Sequence, residues 1–311
     1  MIAEVPRQFM GFQPRFPGFF NRWNWLVEAI PAERAAALRI AVALALLLDL
    51  ALGCLPFFRD AFTAHGLAGS EAFPLRFREG HWYWSALRWL PDAMGPQVLM
   101  GIWILAAIGL LIGYRPLYTG LICWFCAVSF WNINPWVCNG GDQVRNMLLL
   151  IVAFGRTGEV WSISARRNRN ARLYVAGWPY KLLILYLICM YFFSGMYKLQ
   201  SGQWRNGWIM YYVNHNETWS LAPEITRAFP IVLHRLSAWV TLTWELSFPI
   251  LLFVPRVRAV VLWLGVLFHL GSFLTLEIGS FGTYPLASYA AFVTWERFRE
   301  FSGNIRLRAV S

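Results

Sequence analysis

Charge is scarce in this chain. Only 14% of its 311 residues are charged, whereas soluble domains carry about 25%. Acid is scarcer still, with 16 Asp and Glu against 27 Lys and Arg, for a formal net charge of +11. With 58% hydrophobic residues and a mean hydropathy of +0.46, the chain cannot form a soluble globule without exposing large apolar areas. The basic residues build no nucleic-acid patch. They cluster in short loops between apolar runs, as the positive-inside rule describes, so no nucleic-acid partner is expected. Histidine is also sparse. His65, His81, His215, His234 and His269 show no ligand-like spacing, and no metal is expected. A phosphate loop and a Rossmann fingerprint are both missing. The first 34 residues lack a compact apolar h-region, so no secretory signal peptide is expected. They read as a cytoplasmic, partly interfacial lead-in. Cysteine numbers five, and Cys123 and Cys126 have redox-motif spacing without the βαβ context it needs. They read as small apolar packing groups. Cys138 lies nearest the outer surface, and its role stays open.

Long apolar runs, by contrast, are abundant. A bilayer crossing takes ~20 apolar residues, and eight runs qualify roughly: 35–57, 96–113, 117–137, 146–162, 179–198, 237–254, 258–276 and 278–295. The expected fold is therefore an all-α, polytopic integral membrane bundle of about eight transmembrane helices. Its organisation is a lead-in over 1–34, a membrane domain over 35–296 and a basic tail over 297–311. The 18 Trp fit aromatic belts at two interfaces. Arg115, the loop 155–178 with Arg156, Arg166, Arg167, Arg169 and Arg172, the turn with Arg256 and Arg258, and the basic tail all fall on one side of an eight-span arrangement. That side is expected to be cytoplasmic, with both termini on it, in a multi-pass protein of the cell membrane.

The chemistry-bearing residues gather on the other side. Lys198 stands at the outer end of an apolar run and is followed by a polar turn carrying Trp204 and Gly207. A lysine there either snorkels to the headgroups or, held partly out of water, loses its proton near neutral pH and acts as a base. Asn134-Pro135 ends a helix, Asn139, Gly140 and Gly141 make a turn, and Asp142 stands ready to cap the next helix with Arg145 one turn on. This reads equally as a capped turn with an internal ion pair or as part of a site. Arg39 and Asp49 lie in the first run, about 15 Å apart along a helix, too far to pair directly. Arg39 near the inner end reads as a snorkelling cation. Asp49, Glu245 and His269 sit deeper, and ionisable groups inside a membrane usually face a bundle interior or cavity. One outward-opening cavity is expected, lined by Lys198, Asp142, Arg145, Glu245 and His269.

Taken in order, these residues resemble a known family. Leu38 to Asp49, Asp60 to Gly66, Asn134 to Arg145, Phe193 to Leu199 with Trp204 and Gly207, Glu245, and Phe268-His269 with Ile278 to Phe281 resemble the HTTM group of membrane proteins, best known for the vitamin K-dependent γ-glutamyl carboxylase. The resemblance implies that Lys198 acts as base toward a quinol resembling vitamin K hydroquinone, with His269 and Asp142 as its catalytic neighbours. It implies a quinol-binding cavity that includes Asn139, Arg145, Trp204 and Glu245. A carboxylase histidine is replaced here by the region of Gly141 and Asp142, and the large luminal domain that engages the carboxylase's substrate is not expected. A short bacterial branch of the group takes part in maturing a secreted peptide toxin.

Two functions follow as expectations. One is a quinol-dependent membrane enzyme, carboxylase-like, that modifies a secreted peptide or protein from the outer face. The other is a non-enzymatic membrane partner in the maturation or export of such a peptide, in which Lys198 and Asp142 are structural. A transporter is weaker, since no inverted repeat is visible.

Overall fold

The structure is a computed structural model, and it describes residues 28–63, 66, 84–91, 94–134, 137–167 and 172–293. Most of the expected lead-in, the basic tail, and Arg169 lie outside these residues.

The described chain is almost wholly helical. Seven long helices follow the first seven apolar runs in order: α1 (Ala32–Asp49), α2 (Gly95–Leu111), α3 (Pro116–Ile133), α4 (Gly140–Phe154), α5 (Trp178–Gln200), α6 (Ile231–Leu251) and α7 (Arg258–Thr275). A π-helical turn, Leu50–Cys54, extends α1 directly after Asp49. Such widened turns recur at functional sites. Ile30–Pro31 pairs antiparallel with Tyr174–Val175 and ties the start of α1 to the start of α5. Among the described residues, four helices are long and apolar enough to cross a membrane: α1 with its π turn, α3, α5 and α7. Proline opens α2, α3 and α5, where its missing N–H costs nothing.

Two departures from the sequence reading matter. The run 146–162 is helical only to Phe154, and the rest is a loop pinned by α1. Arg39 does not snorkel. It is fully buried, and its guanidinium donates to the carbonyls of Thr157 at 2.5 Å and Trp161 at 2.6 Å. The run 278–295 is no single helix either. It forms a 3-10 turn (Gly279–Phe281), a short helix (Thr283–Ser288) and a second 3-10 turn (Tyr289–Phe292). At 1.5 Å per residue, the stretch from 283 to 292 reaches only about 15 Å, half of a bilayer core. It is packed inside the bundle instead, with Tyr284, Ser288 and Tyr289 all buried. Those hydroxyls find partners there, and that is what a polar group needs when it enters an apolar interior.

Successive helices pack side by side, α1 on α2, α2 on α3, α3 on α4 and α5 on α6. The core between them is apolar and aromatic. Trp103 of α2 stacks on Phe130 of α3 with ring centroids 5.4 Å apart, and Phe62 meets Phe130 edge-on at 5.1 Å.

Candidate functional site

Tyr191, Ser194 and Lys198 recur at helical spacing, so they share one face of α5. That face meets α6 closely. A Cβ at Gly195 would stand 3.1 Å from Cβ of Glu245, so glycine lets the two backbones approach. Across this seam Lys198 Nζ lies 2.5 Å from Glu245 Oε1 and donates to Ser194 Oγ at 2.8 Å. Ser194 Oγ donates in turn to the same carboxylate oxygen at 3.2 Å. The ammonium also stands 5.2 Å from the centroid of the Trp204 ring, a cation–π contact supplied by the turn after α5. Glu245 is only 2% exposed at its side chain and Lys198 16%, so the carboxylate is buried and the ammonium nearly so.

His269 of α7 adjoins this group through Tyr191, which shares the Ser194 and Lys198 face of α5. Its Nε2 is 2.7 Å from the Tyr191 hydroxyl, which is 3.2 Å from the Tyr289 hydroxyl. Aromatic rings of Trp244, Phe268 and Phe281 surround the imidazole. Two buried atoms here have no hydrogen-bond partner, Glu245 Oε2 and His269 Nδ1. A buried polar atom left unpaired costs about 1–3 kcal/mol, so each of these atoms calls for a further partner, whether ordered water or ligand.

Asp142 and Arg145 belong to a second group, at the N-terminus of α4. Asn139 caps that helix reciprocally: its Oδ1 accepts from Gly141 N at 2.7 Å, and its own N–H donates to Asp142 Oδ2 at 2.7 Å. Arg145 Nη1 bridges Asp142 Oδ1 at 2.6 Å and Asp49 Oδ2 at 3.3 Å. Tyr284 donates to Asp49 Oδ2 at 2.7 Å. The guanidinium also stands 5.4 Å from the Trp103 ring. Asp49, Trp103, Asn139, Asp142 and Arg145 line a cavity of about 190 Å³ with Cys54 and Cys138. Asp49 opens as well onto a neighbouring cavity of about 370 Å³, lined by Leu52, Phe273 and Glu277.

The segment 279–292 runs between the two groups. Ser280 donates to Asn139 Oδ1 at 3.3 Å, and Tyr284 holds Asp49. Phe281 faces the His269 ring, and Tyr289 holds Tyr191. Lys198, Glu245, Trp204 and His269 thus gather in one group, and Asn139, Asp142 and Arg145 in the other. Among the described residues no direct ion pair joins the two.

Tyr191, Ser194, Tyr284 and Tyr289 carry this network and were not among the sequence candidates. Tyr191 and Ser194 were legible from their helical spacing to Lys198. Nothing in the sequence announced Tyr284 or Tyr289, because their segment is not the regular helix its composition suggests.

Known proteins supply the last comparison. Residues 79–296 match the HTTM domain. Over 188 residues the chain is 24% identical to sporulation-delaying protein SdpB of Bacillus subtilis (strain 168), an alignment that takes in 57% of this chain and 58% of that protein. The match thus spans just over half the length of this relative. No solved structure matches. With its apolar helices and a domain match over most of its length, the chain belongs to the HTTM domain family.

Proposed function

We propose that this HTTM protein is a multi-pass enzyme of the cell membrane that acts on a secreted peptide or protein from the outer face, with Lys198 as its base and a quinol as the reductant of dioxygen. The carrying observation is the pair of unpartnered buried atoms, Glu245 Oε2 and His269 Nδ1, beside the Lys198 ammonium. A quinol fits this donor set. Its hydroxyls have Glu245, His269 and Lys198 to meet. Bound there, a quinol would supply a removable phenolic proton and reducing electrons.

The chain's own residues then have defined tasks. As an ammonium, Lys198 already holds its proton and is no base. Passing that proton to Glu245 at 2.5 Å leaves a neutral pair and a free amine lone pair. A dry site narrows the energy gap between the charged and neutral forms of such a pair, because separated charges lose their hydration. Ser194 orients both partners through its two hydrogen bonds. Tyr191, itself bonded to Tyr289, fixes the tilt of the His269 ring through Nε2. The arginine-rich loops between the helices face the cytoplasm in this reading, whereas the expected cytoplasmic placement of both termini needed an eighth span that the short, broken segment 279–292 does not make.

A second reading has its own support. The same ion pair is also what a purely structural contact between two helices looks like, and the similarity to a sporulation-delaying protein suits a partner in the maturation of an exported peptide without chemistry of its own. Solvent extraction of the purified protein separates the two. The enzyme reading expects quinone near one per chain, and its loss in His269→Ala. Protein that carries none from quinone-rich membranes leaves the second reading.

A further inference from the structure

The opposite end of the bundle carries a second built feature. Three described non-glycine residues have positive φ: Arg115 at 44°, Arg156 at 51° and Trp161 at 50°. All three stand at the joint where the turn between α2 and α3 meets the loop after α4. That joint is rigid. Ile163 N–H donates to Ile112 O at 3.0 Å, Ser164 Oγ donates to Gly113 O at 2.8 Å, and Arg115 N–H donates to Ser164 Oγ at 3.0 Å. From below, buried Arg39 grips the carbonyls of Thr157 and Trp161. Backbone strain of this kind persists only where the surroundings impose it, and it clusters at binding sites.

The joint forms an open cleft of about 490 Å³, lined among others by Arg115, Leu117, Tyr118, Phe154, Arg156 and Glu159. Its rim is apolar and exposed: Leu117, Tyr118 and Phe154 all face outward, as do Tyr114 and Trp161 nearby. Its charge is basic. The Arg115 guanidinium rests over the Tyr114 ring, and no described carboxylate pairs with it. Arg156 gives Nε and Nη2 to Glu159 Oε1, which leaves Nη1 free to donate. Glu159 is fully engaged, since its Oε2 accepts from Arg172 N–H.

We infer that this cleft is a binding site for the headgroup of an anionic phospholipid, with Arg115 and Arg156 on the phosphate and the acyl chains along Leu117, Tyr118 and Phe154. Two guanidiniums at the mouth of a preformed cleft suit a phosphodiester, which they meet with several parallel donors. The exposed apolar rim suits acyl chains and has no such use for a water-soluble anion. Basic pockets at the cytoplasmic ends of helices are where anionic headgroups are drawn.

Native mass spectrometry of the full chain, delipidated and then titrated with phosphatidylglycerol or phosphatidylcholine, tests the site. One phosphatidylglycerol should be retained per chain, well above phosphatidylcholine. Arg115→Gln and Arg156→Gln should each weaken retention by roughly fivefold, the worth of one basic side chain near an anionic surface. Arg256→Gln, in the turn between α6 and α7 and outside the cleft, should leave it unchanged. Melting in phosphatidylcholine should match wild type for each variant counted, and Arg115→Lys, which keeps the charge, serves where Arg115→Gln fails to fold and should retain part of the binding. Equal retention in the glutamine variants, or equal weakening in Arg256→Gln, overturns the inference, and so does displacement of the lipid by millimolar inorganic phosphate.

Discussion

Lys198 Nζ lies 2.5 Å from Glu245 Oε1, across the seam where Gly195 lets α5 and α6 approach. Each residue alone is a charge that an apolar interior resists. Together, with Ser194 bridging them, they form a neutral, hydrogen-bonded unit that such an interior can hold.

That relationship predicts a thermodynamic coupling. Glu245→Gln strands the ammonium, and Lys198→Met strands the carboxylate. Each should destabilise by about 3 kcal/mol, the usual cost of breaking a buried pair by removing one partner. The double variant leaves no charge unpaired and should melt closer to wild type than either single variant. Losses that simply add would mean the two side chains do not act as a pair.

Asp49 depends on Tyr284 from a distant part of the chain. Tyr284→Phe removes the 2.7 Å hydrogen bond and leaves the ring in place. Since the bond reaches a charged acceptor, the loss should be about 1.5–3 kcal/mol in thermal or denaturant unfolding. A change within error would show that Arg145 alone satisfies Asp49.

Gly141 is where the α4 cap meets the segment 279–292. A Cβ there would stand 2.4 Å from the Ser280 carbonyl oxygen. Gly141→Ala should therefore push Ser280 away and cost about 1–3 kcal/mol, as overpacking does. Gly202→Ala, where a Cβ meets nothing within 4 Å, is the control and should be near neutral. Equal melting of the two variants would deny the close approach.

Much of this arrangement was legible in the sequence. Seven apolar runs are helices because a run of that length has few other ways to satisfy its backbone. Lys198 with its polar turn, and the cap formed by Asn139 and Asp142, follow from local spacing. Glu245 and His269 were visible as costly polar groups in apolar helices, but their partners were not. Pairing Lys198 with Glu245 and Asp49 with Arg145 depends on which helix faces meet, and periodicity in one chain does not state that. The segment 278–295 has a transmembrane composition, yet its polar groups, Ser280, Tyr284, Ser288 and Tyr289, are bonded within the bundle, where buried hydroxyls find partners. Arg39 escaped for a similar reason: its two acceptors are carbonyls of a loop more than a hundred residues away.

The proposed chemistry rests on one proton. Arginine keeps the charge of Lys198 and its contact with Glu245 but does not give up its proton in a protein. The decisive measurement is quinol oxidation in aerated buffer by the purified protein in liposomes, read by absorbance, for wild type and Lys198→Arg at equal expression and melting temperature. Oxidation by wild type and background rates in Lys198→Arg, with bound quinol retained, are what a base at this position predicts. A Lys198→Arg protein that oxidises quinol as fast as wild type would contradict it.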